Sequence, residues 1–149
     1  MTKQRHINIH VDTPARPAAV FRLLADGATW TTWSPIESFE LEQAGDPPPE
    51  GVGAIRVFRL GRTTGRDQLL EVVPDRRLAY ASLSGLPVRD YVGQVDLAPS
   101  ADGGTSIHWH SDFFPTTPVG TGWLVEHSLR RFLGKCAHGL AEHAGARTV

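Results

Sequence analysis

The hydrophobic period of this chain changes once, near Pro118, and that change limits the folds open to it. After PTTPVGTG, Val125, Leu129, Phe132, Leu133, Cys136 and Leu140 recur at helical spacing on one face. Most of the charged residues nearby lie elsewhere. The pattern predicts one amphipathic helix over residues 119–143, long against a usual ~11–12 residues. Gly134 and Gly139 interrupt it, each costing about 1 kcal/mol relative to alanine, unless a close approach needs them. Upstream, from residue 36 to 114, the text is strands and turns. We expect strands over 36–44, 53–60, 65–73, 77–84, 90–98 and 104–114. LGRTTG, VPDRR, SGLPVR and SADGGT punctuate them as turns, and AGDPPPEGVG reads as a loop, because proline cannot donate to a ladder. Strands spaced this closely form an antiparallel meander.

The start of the chain adds one more strand. In RHINIHVDT, Ile7, Ile9 and Val11 alternate with His6, Asn8, His10 and Asp12, as on a half-buried strand over 5–13. Pro17 then opens a short helix with an apolar stripe of Val20, Phe21, Leu23 and Leu24, ended by Asp26-Gly27. A second short turn follows over 29–33. Seven strands, two short helices and one long helix give an α+β architecture. The long helix is the one large element able to cover the apolar face of the sheet. A bent sheet around a single helix leaves space between them, so a cavity is expected.

Composition excludes several classes. The 149 residues suit one domain over 1–149. Fifteen basic and sixteen acidic residues nearly cancel, so nothing advertises nucleic acid or an anionic membrane surface. No segment approaches the ~20 apolar residues of a membrane-spanning helix. The start carries no signal-peptide pattern, and a cytoplasmic protein is expected. A single cysteine, Cys136, excludes an internal disulfide and a cysteine-rich zinc site. It falls on the buried stripe of the helix and reads as an inert thiol. No phosphate-binding loop, nucleophile elbow, H-E-x-x-H or Rieske spacing is present, and no cofactor is expected.

Four fragments carry a resemblance to a known family. They are TPARPAAVFRLLADGATWTTW (13–33), GVGAIRVFRLG (51–61), VVPDRRLAY (72–80) and VRDYVGQVDLAPSADGGTSIHW (88–109). In this order and spacing the chain resembles the START-like, or Bet v 1-like, helix-grip superfamily, in its bacterial polyketide cyclase/dehydratase-like group. The resemblance spans nearly the whole chain. It implies a curved seven-stranded antiparallel sheet wrapped around a long C-terminal helix, with an internal ligand cavity. It also implies that the first strand pairs with the last. It does not imply a reaction, since one fold hosts many.

Site candidates follow from the alternation. Ile7, Ile107, Trp109 and Phe113 must face the core, so His108 and His110 face outward, beside His6 and His10. Such a cluster has the donors for zinc or nickel. A solvated sheet face with cross-strand polar pairs is the preferred reading, with no metal. Trp30, Trp33, Phe58, Tyr80, Tyr91, Trp109 and Phe113 are candidates for the cavity wall, Trp33 and Trp109 foremost. Leu69, Gly93, Ser111, Val125, Leu129 and Phe132 complete the ligand-binding set, with Gly93 expected to widen the cavity. Candidate acid–base groups are Arg59, Asp67, Glu71, Tyr80 and Tyr91. Two registers stay open on the third strand: Ile55, Val57 and Arg59 inward, or Arg56, Phe58 and Leu60. The fourth strand is equally open, because Asp67, Leu69 and Glu71 alternate with Leu70 and Val72.

The leading functional reading is binding of a small hydrophobic molecule, aromatic, polyketide- or lipid-like. The alternative is a polyketide aromatase/cyclase or dehydratase using acid–base groups in the cavity. A third is a protein-interaction module. The expected partner is a small hydrophobic molecule, without nucleic acid or an integral membrane segment, on a monomer or homodimer.

Overall fold

The computed structural model describes residues 3–146. In chain order the elements are β1 (Arg5–Thr13), α1 (Pro17–Ala25), a 3-10 turn (Gly27–Thr29) and α2 (Trp30–Trp33). Then come β2 (Ser38–Gln43), β3 (Ile55–Leu60), β4 (Thr63–Val73), β5 (Arg77–Ser84), β6 (Val88–Pro99), β7 (Thr105–Pro115) and α3 (Gly122–Ala146). The seven strands form one antiparallel sheet in the order β1-β7-β6-β5-β4-β3-β2. It is a meander from β2 to β7, with β1 returned to the far edge beside β7. Ile9 pairs with Trp109 and His10 with His108, the pairing that the resemblance implies. This is the α+β helix-grip fold.

α3 closes the concave side. It packs against β1, β7, α1 and α2. Its buried stripe is Val125, Leu129, Leu133, Cys136, Ala137, Leu140, Ala141 and Ala144. The small residues at the C-terminal end let the helix come close. Gly139 meets the backbone carbonyl of Trp33, and a Cβ there would overlap it, whereas a Cβ on Gly134 would find only Ile9 Cδ1 at 4.0 Å. One glycine is therefore a contact and the other is not.

Two buried threonines fasten this end. Thr13 Oγ1 donates to the Ala141 carbonyl at 2.8 Å and Thr105 Oγ1 to the Ala15 carbonyl at 2.6 Å. Their own hydroxyls are thereby satisfied, as buried polar groups require. Antiparallel pairing puts the β3–β4 turn, the β5–β6 turn and the start of α3 together at the opposite end. That end is less tightly filled, and the cavity opens there.

The open register on β3 is resolved by pairing. Phe58 faces Gly65, and Arg56 faces Asp67. Arg56, Phe58 and Leu60 take the concave side. Arg56 is 1% exposed, and its cost of burial is offset by two backbone carbonyls and one carboxylate. It donates to the carbonyls of Leu24 (3.0 Å) and Ala25 (2.7 Å) and pairs with Glu50 at 3.0 Å. Glu50 in turn accepts from the Gly27 amide at 2.9 Å. The Pro-rich loop is thereby clamped to the end of α1.

β4 departs from simple alternation. Leu69 pairs with Tyr80 but Glu71 pairs with Ala79, so Leu70 is an extra residue. This bulge turns Glu71 outward, where it meets Arg77 at 3.5 Å, and returns Val72 to the core. Glu71 is therefore corrected from a cavity candidate to an outer-face residue.

Candidate functional site

Between the sheet and α3 lies an apolar cavity of about 230 Å³. Its floor is aromatic. Trp30 on α2 stacks on Phe58 at 4.8 Å and meets the Trp109 edge at 5.7 Å. Leu129, Phe132 and Leu133 of α3 form the roof. At the mouth stand Arg59, Leu60, Thr63, Leu86 and Ser128, from the two hairpin turns and α3.

Three oxygen-bearing side chains interrupt this apolar wall: Asp67, Tyr80 and Tyr91. Asp67 sits mid-strand on β4. Burial pushes its carboxyl up to about 7, and the Arg56 guanidinium opposes that shift. Tyr80 is buried, and its hydroxyl accepts from Trp109 Nε1 at 3.1 Å. Burial, with Tyr91 and Asp67 adding to it, holds its phenol well above the ordinary range. Burial also pushes Tyr91 up to about 12, moderated by the Ser111 and Tyr80 hydroxyls. The two phenols are therefore neutral hydrogen-bonding groups at pH 7. Asp67 exchanges a proton near neutrality. An apolar hollow with a proton-exchanging carboxyl can hold a carbonyl or hydroxyl oxygen, or move a proton to one.

Among the sequence candidates, Arg59, Asp67, Tyr80, Tyr91, Phe58, Trp109, Leu129 and Phe132 are brought together around this space. Arg59 sits at the rim, 3.4 Å from Glu40 and half exposed. Trp33 is corrected: it is buried and does not line the cavity; its ring packs behind Trp30 at 4.6 Å, and its Nε1 donates to Thr29 Oγ1 at 3.1 Å. Its neighbour Trp30 takes the wall. Leu69, Phe113 and Val125 belong to the packed core beside the cavity. Phe113 stacks on Tyr91 at 5.8 Å and so backs the wall without forming it. Ser111 is buried, its hydroxyl toward Tyr91 without a hydrogen bond of normal geometry.

Gly93 is also corrected. It pairs with Tyr80 across β5 and β6, and a Cβ on it would overlap the Tyr80 ring. The glycine does not widen the cavity. The Tyr80 ring fills the space it leaves and lies flat on the sheet there. Sequence reasoning missed Gly65, Ile36, Thr63, Leu86 and Ser128 on the wall and rim, whereas Leu60 belonged to one of the two open registers and Leu133 to the helical stripe. A glycine inside a strand is a known signal of local space, but Gly65 also ends the turn pattern LGRTTG, which hides that signal. Ile36, Thr63 and Leu86 lie at turns or strand ends and Ser128 lies beside the helical stripe, where period gives no direction.

The four histidines do face outward. His10 stacks on His108 at 4.1 Å, and His108 on His110 at 4.3 Å. His6 stands apart, paired with Asp112. Cys136 is buried and its thiol is pushed up by desolvation, as an inert core residue requires.

Comparison with known proteins agrees with this architecture. Residues 4–145 match the family described as polyketide cyclase / dehydrase and lipid transport. No curated protein matches the sequence. Among solved structures, the chain is similar to the ZhuI aromatase/cyclase from Streptomyces sp. R1128, with TM-score 0.77 and 17% identity over 99% of this chain and 97% of that one. It is similar to Ara h 8.0201, with TM-score 0.75 and 15% identity over 95% and 98% of the two chains. It is also similar to TTHA0849 from Thermus thermophilus, with TM-score 0.73 and 20% identity over 97% and 100%. These likenesses are of fold. With its seven-stranded grip, its cavity and the family match over nearly its full length, the chain belongs to the polyketide cyclase/dehydrase and lipid transport family of the Bet v 1-like helix-grip superfamily.

Proposed function

We propose that the protein binds a small apolar molecule of one or two rings carrying a carbonyl or hydroxyl oxygen. The observation that carries this reading is the aromatic-walled cavity with Asp67, Tyr80 and Tyr91 on its lining. Size supports the small ligand. An engineered cavity of ~150 Å³ holds benzene, and drug-sized ligands take roughly 300–1,000 Å³. A space of about 230 Å³ lies between them. A folded polyketide chain needs more room than this unless the mouth opens.

The test is native mass spectrometry of the purified protein, looking for a co-purified molecule of ~100–250 Da, a range set by that volume comparison. Gly65→Val supplies the control. Gly65 lines the cavity, and a Cβ there meets nothing nearer than the Phe58 carbonyl at 3.9 Å. Valine fits the strand and fills the space. The adduct should be present in the wild type and lost in Gly65→Val. An adduct retained in that variant places the molecule elsewhere and contradicts the reading.

A second reading, an acid–base enzyme such as a cyclase or dehydratase, is favoured by one observation. Asp67 holds a carboxyl that exchanges its proton near pH 7 inside an apolar space, as general acid–base chemistry requires. The family's description and the aromatase/cyclase activity of the Streptomyces neighbour add to it. Asp67→Asn separates the two. A carrier keeps its ligand affinity within about threefold, since the amide still hydrogen-bonds. An enzyme loses turnover by roughly 10²-fold or more while still binding.

A further inference from the structure

The convex face of the sheet carries a second group of donors, unconnected with the cavity. On β7, His108 and His110 project to the same side. Asp96 of β6 lies opposite His108 in register, and the Asp96 carboxylate meets His110 Nε2 at 2.8 Å. One ligand atom from each of Asp96, His108 and His110 lies within 4.8 Å of the others. We propose that these three side chains form a binding site for a divalent transition ion of the zinc class. The solvated-face reading of the sequence is revised accordingly, with Asp96 gained and His6 released.

The donor set fits the ion. Two imidazoles and one carboxylate are borderline ligands preferred by zinc and its neighbours over magnesium or calcium. Bonds of ~2.0–2.1 Å put tetrahedral ligands about 3.4 Å apart, a contraction within reach of small rotamer shifts. The surroundings hold the donors in place. Arg77 Nε donates to Asp96 Oδ1 at 2.7 Å, which leaves Oδ2 on the histidine side. Gln94 donates to Oδ2 at 2.9 Å. His108 Nε2 is fixed by Asn8 Oδ1 at 2.9 Å, which leaves its other ring nitrogen as a lone-pair donor. Outer partners of this kind orient metal ligands. The Arg77 charge is shared between Asp96 and Glu71, so it does not stand bare against the ion. His10 stacks on His108 at 4.1 Å beside the trio, and water would complete the coordination. An ion here would tie β6 to β7 on the outside of the grip.

The experiment is isothermal titration of tag-free protein with zinc chloride, repeated on His110→Gln, Asp96→Asn and the double variant His108→Ala/His110→Ala. Zinc should bind one to one with micromolar affinity. Each single variant should weaken binding about tenfold or more, and the double variant should abolish it. His6→Ala, outside the trio, should stay within twofold. Zinc at 100 µM should raise the melting temperature of the wild type and not of the double variant, since an ion bound to the folded state stabilises it. No stoichiometric binding below ~100 µM overturns the proposal, as does binding that survives the double variant or is lost equally in His6→Ala. His110→Gln and Asp96→Asn keep their polar contacts and serve if the double variant fails to fold.

Discussion

Asp67 destabilises the fold that carries it. Its carboxyl is pushed up to about 7 from an ordinary 3.8, because burial penalises the charge more than Arg56 relieves it. The folded state therefore holds this proton more tightly than the unfolded chain. Below pH 4 both states are protonated and nothing is lost. As pH rises from 4 to 7 the unfolded state ionises first, and stability falls. The loss is complete above 7, with an upper bound of about 4 kcal/mol from the size of the shift. Asp67→Asn removes the charge while Glu50 still serves Arg56. At pH 8 it should stabilise the protein by about 1–3 kcal/mol, and at pH 4 by almost nothing. Thermal melts of both proteins across this range check it; equal melting curves at pH 8 would show that the buried Asp67 charge costs the fold nothing. Asp67 lies on the cavity lining.

At the same scale Gly93 and Tyr80 act as one unit. Gly93→Ala places a methyl group inside the Tyr80 ring. It should cost about 1–3 kcal/mol, as overpacking does, and disturb the Tyr80–Trp109 hydrogen bond. Chemical denaturation measures the first, and a shift of the Trp109 indole N–H resonance the second. A variant as stable as the wild type would mean that the ring has room to move.

Among elements, α3 gives the sharpest contrast. Helix propensity alone ranks Gly134→Ala and Gly139→Ala equally, each a gain of up to about 1 kcal/mol. Packing separates them. At Gly134 the methyl group meets Ile9 at 4.0 Å and the gain should be realised. At Gly139 it collides with the Trp33 carbonyl, so that variant should lose about 2 kcal/mol or more. Opposite signs in urea denaturation are expected; two gains would show that α3 does not press on α2.

The same helix shows how much was legible. Its existence, its buried stripe and the seven strands follow from period, and the chain order of turns sets the meander. What period cannot supply is direction where alternation breaks. Leu69 and Glu71 sit two apart and should share a face, but the extra residue at Leu70 sends Glu71 outside. Nothing in LLEVV marks that bulge. Trp30 and Trp33 lie on one short helix and both are buried, and it is Trp30 that reaches across to stack on Phe58 at the cavity, a contact that local sequence does not reveal. Asp96 was invisible as a donor because its place beside His110 comes from pairing between β6 and β7.

For the whole molecule, one end is fastened and the other is left open. Thr13, Thr105 and Gly139 draw α3, β1, β7 and α2 together at the closed end. The hairpin turns and the start of α3 stay apart at the mouth, where Leu60 and Leu86 border the opening. Binding should therefore be read in the two tryptophans of the wall. The direct measurement is tryptophan fluorescence titrated with one- and two-ring phenols and ketones, such as 2-naphthol and 1-tetralone, on wild type and Gly65→Val. Saturable quenching at micromolar concentration, weakened at least tenfold in a Gly65→Val protein that melts no lower, is the result predicted here. Absence of saturable quenching across such probes, or an identical isotherm with the cavity filled, would contradict the assignment of a ligand to this space.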